Sequence, residues 1–100
     1  MTSHEQEQLM RMISNDPLIQ KYVLHHTWIS GENTTVYPIQ GWLDSIDVQV
    51  STNKNVFSKC IDRIIKNSNG ALIRGYFDKS DGSCPSRIVF KLKDHIDLKP

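Results

Sequence analysis

The chain has little cysteine: Cys60 and Cys84 are the two in 100 residues. They are too few and too far apart for a zinc module. Nothing implies an oxidising compartment, so no disulfide is expected. Long apolar runs are also missing. No stretch approaches the roughly 18 apolar residues that span a bilayer, so no membrane partner is expected. The N-terminal MTSHEQEQ has no basic segment leading into an apolar one, which argues against a secretory leader and makes the cytoplasm the default location. Of the five glycines, Gly70, Gly75 and Gly82 form no phosphate-binding loop. Internal repeats and low-complexity segments are absent.

Reactive constellations are equally sparse. His25 and His26 are adjacent, and neighbours on a helix diverge by about 100°, so they cannot easily chelate one metal ion. Asp44, Asp47 and Asp62 could be imagined as metal carboxylates of a nuclease, but no compact signature joins them. Cys84 sits beside Pro85 in a polar loop with no histidine near it. No catalytic residue, metal site or cofactor is therefore expected, and the chain is not read as an enzyme.

What is present is an ordinary globular composition, 38% apolar and 23% charged, sized for one domain over residues 1–100. The net charge of +1 conceals a division. Residues 1–50 carry two basic against six acidic side chains, a balance of −4, and residues 51–100 carry ten against five, a balance of +5. A basic half points to a polyanion partner; the plainer reading is a solvated charged surface.

The basic half is organised as a helix and a hairpin. Val56, Phe57, Cys60, Ile61, Ile64 and Ile65 fall on one helical face, and Ser51 or Thr52 is placed to cap its start. Asn67-Ser68-Asn69-Gly70 ends it, with Gly70 or an Asn free to take a positive φ. Residues 71–77 and 86–92 then alternate as strands, joined by a loop with a turn signal at Asp81-Gly82. Ala71, Ile73, Gly75 and Phe77 are read as one face of the first strand. Gly75 marks either a bulge or close approach of the helix.

The acidic half reads as helices. Thr2 or Ser3 caps a helix over 4–14. Asp16 is a natural N-cap and Pro17 a natural first residue for a second helix over 17–28. Thr35-Val36-Tyr37 is a short extended lead-in. Ile39, Trp42, Leu43 and Ile46 follow the i, i+3, i+4, i+7 pattern, which predicts a short helix over 38–46. A turn at 47–50 and a longer helix over 53–67 would complete a helix-turn-helix. The expected fold is α+β, mostly α: a winged helix-turn-helix over 35–93 with two extra helices in 1–30 and a C-terminal hairpin wing. Asp97-Leu98-Lys99-Pro100 resembles the start of a linker, consistent with an N-terminal module of something longer.

On that fold the candidate DNA contacts follow from geometry. Asn55, Ser58, Lys59 and Lys66 would occupy the outer side of the long helix, with Arg63 on its edge and Asp62 able to pair with Lys59, Lys66 or Arg63. Thr52, Asn53 and Lys54 would stand at its start, where backbone N–H groups can hold a phosphate. Arg74, Lys79, Arg87 and Lys91 would lie on or beside the wing. Trp28, Trp42, Phe57, Phe77 and Phe90 could stack on bases, but each falls on an apolar face and is read as core. Tyr76 shares a face with Arg74 and is read as exposed. Leu9, Met10, Met12, Ile13, Leu18, Ile19, Tyr22 and Val23 exceed what a minimal winged helix must cover, which predicts a homodimer through the first two helices.

Trp42 in the short helix, Phe57 early in the long one and Arg74-Gly75 in the first wing strand make Tyr37 to Leu92 resemble winged-helix domains of phage, satellite and plasmid replication initiators and primase-helicases. The resemblance implies origin or operator DNA as ligand, bound through a protein dimer. Two functions from different classes are carried forward. One is a sequence-specific double-stranded DNA-binding module, in replication initiation of a mobile element or in repression. The other is a protein-interaction domain, such as a phage-encoded inhibitor of a host protein, because fold does not dictate function.

Overall fold

The computed structural model describes residues 1–24, 38–52, 56–79 and 86–97. Among them are three helices and a four-stranded antiparallel sheet: α1 (Ser3–Ser14), α2 (Pro17–Tyr22), β1 (Ile39–Gly41), β2 (Ser45–Val50), α3 (Ser58–Asn67), β3 (Leu72–Asp78) and β4 (Ser86–Leu92). The sheet order is β1-β2-β4-β3. The fold is α+β, as expected, but it is not mostly α.

The two N-terminal helices start where their sequences place them. The Thr2 hydroxyl accepts from the Glu5 N–H, and the Asp16 carboxylate accepts from the N–H groups of Leu18 and Ile19 ahead of Pro17. The second helix is helical to Tyr22; Val23 then bridges Val50. Leu24 donates its N–H to the Gln49 carbonyl, so 23–24 run beside β2 and not as helix; residues 25–28 of the expected span, with His25, His26 and Trp28, lie outside the described residues, as does the lead-in at 35–37.

The short helix expected over 38–46 is not formed. Ile39–Gly41 and Ser45–Val50 are paired strands, with Ile39 opposite Val48 and Gly41 opposite Ile46. The helix-turn-helix pair is therefore missing. The physical reason lies one step along the chain: Ile46, Val48 and Val50 alternate, are β-branched, and are all within 2% of full burial. That period-two burial outweighs the helical spacing of Ile39, Trp42, Leu43 and Ile46. Trp42 and Leu43 fall in the intervening turn and are exposed rather than core.

Helix α3 keeps its expected end: Asn69 and Gly70 both take positive φ, 54° and 87°. Its start differs. Phe57 is the N-cap and makes no side-chain cap bond. Ser51 instead donates to the Tyr22 carbonyl. Residues 53–55 lie outside the described set. Phe57, Cys60, Ile61 and Ile64 are buried, whereas Val56 is exposed. Burial raises the Cys60 thiol pKa to about 11, with Asp16 adding to the rise, which keeps the thiol protonated.

Strand β3 carries an irregularity between Leu72 and Arg74. It shifts the alternation by one, so Leu72, Gly75 and Phe77 face the core and Ile73 is exposed, not inward. Gly75 has the reason anticipated for it. A Cβ there would lie 2.7 Å from Ile61 Cγ2 and 3.1 Å from Phe90 Cδ1, so α3 can sit directly on the strand only over a glycine.

One core joins Ile13 and Ile19 of the first helices, the inward residues of α3, and Ile46, Val48, Val50, Leu72, Ile88, Phe90 and Leu92 of the sheet. Leu9, Met10, Met12, Leu18, Tyr22 and Val23 pack against it as partly buried neighbours. The apolar surplus that motivated a dimer through the first two helices is thus largely consumed inside one chain.

Candidate functional site

The described helices lie on one face of the sheet, so the opposite face is built from the alternate residues of each strand. It carries Gln40 from β1, Ser45, Asp47 and Gln49 from β2, Arg87, Val89 and Lys91 from β4, and Arg74, Tyr76 and Asp78 from β3. Arg74, Tyr76, Asp78 and Arg87 are exposed on this face, whereas Ser45, Asp47 and Val89 at its centre are buried.

At its centre is a shallow hollow of about 290 Å³. Trp42 and Tyr76 line it from the β2 and β3 sides, with Val89, Ser45, Asp47, Arg87, Lys91 and Asp44 between them. Trp42 is 52% exposed and Tyr76 37%. Gln6 of α1 fixes the turn that presents Trp42: its Nε2 donates to the carbonyls of Trp42, at 2.7 Å, and Ser45, at 3.2 Å.

Two of the three cations on this face are paired within the chain. Arg87 donates to Asp47 at 2.7 Å and to Asp78 at 3.0 Å. The Asp78 hydrogen bond above all, with the charges of Asp47 and Asp78 and the Asp47 hydrogen bond, holds the guanidinium above its ordinary pKa against the opposing effect of burial. Lys91 lies 3.4 Å from Asp44. The Arg74 guanidinium stacks 5.2 Å from its own Tyr76 ring. Three cations and three carboxylates therefore share the face and cancel.

The expected DNA contacts do not form one surface. Ser58, Lys59 and Lys66 are exposed on the outer side of α3, while Arg74, Tyr76, Arg87 and Lys91 project from the far side of the sheet. A duplex lying along α3 would not meet the second group. Lys79 is exposed just beyond β3, and half-buried Thr52 precedes α3; Asn53, Lys54 and Asn55 lie outside the described residues. Arg63 does not pair with Asp62. It forks onto the N-cap carboxylate of α2, with Nε to Asp16 at 2.7 Å and Nη2 to Asp16 at 2.9 Å. Burial alone would raise the Asp16 pKa, but the Arg63 hydrogen bond, the two backbone N–H groups and the guanidinium charge together lower it.

Trp42 and Leu43 reach the surface because 38–46 forms strand and turn in place of a helix; the alternation of Ser45-Ile46-Asp47-Val48-Gln49-Val50 is the sequence signal for that, and it also sets the buried Asp47 beside Arg87. Among the described residues no three His, Cys, Asp or Glu side chains group as metal ligands, and none of the described helices is long and apolar enough to cross a membrane. The chain matches no family model, no curated protein and no solved structure.

Proposed function

We propose that the chain is a binding module whose open sheet face receives another polypeptide. The observation that carries this reading is the pairing of exposed Trp42 and Tyr76 with a face whose charges already cancel. A polyanion gains little from Arg87 and Lys91 while they are bound to carboxylates, since the internal pairs must first be broken. Exposed tryptophan, tyrosine and arginine are residue types enriched at protein interfaces, and here Trp42 and Tyr76 flank a hollow of paired charged side chains. Affinity capture from the source cell by the parent chain and by a Trp42→Ala/Tyr76→Ala chain is the test. A protein retained by the parent and by a Lys59→Ala/Lys66→Ala chain, but lost from the aromatic variant, supports the reading. A binding profile indifferent to Trp42 and Tyr76 refutes it.

Double-stranded DNA along α3 is a second reading. What favours it is that Lys59 and Lys66 are exposed on the outer side of α3 with no ion-pair partner among the described residues. Replication initiation or repression would then be the setting. A gel shift on duplex DNA over a range of salt decides it: each lost phosphate contact flattens the salt slope by about one unit.

A further inference from the structure

We propose that the chain associates with a second copy of itself through β3, the two β3 strands running antiparallel about a two-fold axis at Tyr76. This surface is the β3 edge of the sheet; it shares Tyr76 with the face proposed above for another polypeptide but not Trp42.

Strand β3 is at the end of the sheet order and pairs only with β4 among the described residues. A seven-residue edge strand offers unpaired backbone groups to any strand that can match it. The side chains decide which strand that is. A two-fold axis perpendicular to the sheet keeps the open face on the same side in both copies, so it must pass through a residue and not between two. Centred on Tyr76, it sets Arg74 opposite Asp78 of the second copy and Asp78 opposite Arg74, giving two opposite-charge pairs on the open face. Cross-strand pairs of this kind favour the register that makes them. Centring on Arg74 or Asp78 opposes like charges. Centring on Gly75 or Phe77 sets no opposite charges together.

The side chains are free to do this. Arg74 has an aromatic neighbour but no carboxylate partner among the described residues. Asp78 receives Arg87 on Oδ2, which leaves Oδ1 for a second donor. On the core side the same register places Gly75 opposite Phe77 of the second copy, a small residue against a large one. Tyr76 meets Tyr76, and Ile73, which is 60% exposed, comes opposite Lys79 with its long aliphatic stem. Charged residues and a bulge on an edge strand normally deter pairing. Here their positions exclude wrong registers and admit one.

Sedimentation velocity over a concentration series tests this without any other partner present. The parent chain is expected to show a monomer–dimer equilibrium. Arg74→Glu and Asp78→Arg should each weaken it at least tenfold, and an equimolar mixture of the two should recover the dimer, because every cross-strand pair in that heterodimer is again attractive. In a Cys84→Ser background, Tyr76→Cys should form a disulfide-linked dimer under mild oxidation and Lys59→Cys should not. A parent that stays monomeric into the millimolar range, single variants that associate as the parent does, a mixture that fails to recover, or equal cross-linking at both cysteine positions would each overturn the proposal. The charge-swap variants leave Trp42 and Tyr76 in place, so their outcome separates self-association from capture of another polypeptide through those two residues.

Discussion

Replacing Gly75 with alanine tests the packing of α3 on β3 directly. The added Cβ would sit 2.7 Å from Ile61 Cγ2, closer than side chains approach, with Phe90 Cδ1 and Cε1 at 3.1 and 3.2 Å on its other flank. Ile61 and Phe90 are both buried, so neither can swing into solvent. The helix must lift or Ile61 must leave its rotamer. Overpacking of this kind costs about 1–3 kcal/mol. Loss of glycine freedom in the unfolded chain returns about 0.4–1 kcal/mol. The net expectation is a loss of about 1–2 kcal/mol, with about 4–8 °C in Tm for each kcal/mol in a domain of this size. Chemical denaturation of the parent, Gly75→Ala, Ile61→Ala and the double variant completes the cycle. Ile61→Ala alone removes buried methyl groups and destabilises, but in its background Gly75→Ala should cost far less than in the parent. Equal cost in both backgrounds, or a Gly75→Ala chain as stable as the parent, would refute the close contact.

Three further outcomes are expected. Asp16→Ala should be about 1 kcal/mol less stable than Asp16→Asn in denaturant titration, because asparagine keeps the N-cap acceptor for Leu18 and Ile19. The folded-state Asp16 pKa lies below its ordinary value of 3.8, so its charge contributes stability above the unfolded value and that contribution is lost as pH falls through the folded one; the gap between parent and Asp16→Asn in thermal melts should therefore close on acidification below about pH 4. Gln6→Leu should cost about 1–3 kcal/mol by removing a nearly buried donor from the Trp42 and Ser45 carbonyls, and hydrogen exchange should rise first in the 41–45 turn.

Where local signals agreed with burial, the sequence was readable. Thr2, Asp16-Pro17 and Asn69-Gly70 each act through backbone groups within a few residues, so caps and stops could be placed without knowing the tertiary fold. Ile88, Phe90 and Leu92 alternate on one side only. Residues 38–50 were not readable in this way, because Ile39, Trp42, Leu43 and Ile46 satisfy a helical period while Ile46, Val48 and Val50 satisfy a strand period. Pairing with β4 decides between them, and that partner lies some forty residues along the chain. The bulge beside Ile73 is likewise set by the fit of β3 against β4 and α3. Both features separate the candidate contacts: Arg74, Tyr76, Arg87 and Lys91 stand on the opposite side of the sheet from Lys59 and Lys66. The partners Asp47 for Arg87 and Asp16 for Arg63 come from distant segments, so the acidic and basic halves of the chain are partly paired with each other in the fold.

The sheet-face reading is tested most directly by site-specific photo-cross-linking in the source cell, with a photoreactive phenylalanine analogue placed at Tyr76 in one chain and at Lys59 in another. The account predicts a discrete adduct from position 76 to a protein other than this chain that persists after nuclease treatment, and none from position 59. A nuclease-sensitive adduct from position 59, with nothing captured at 76, would contradict it and move the duplex reading on α3 ahead.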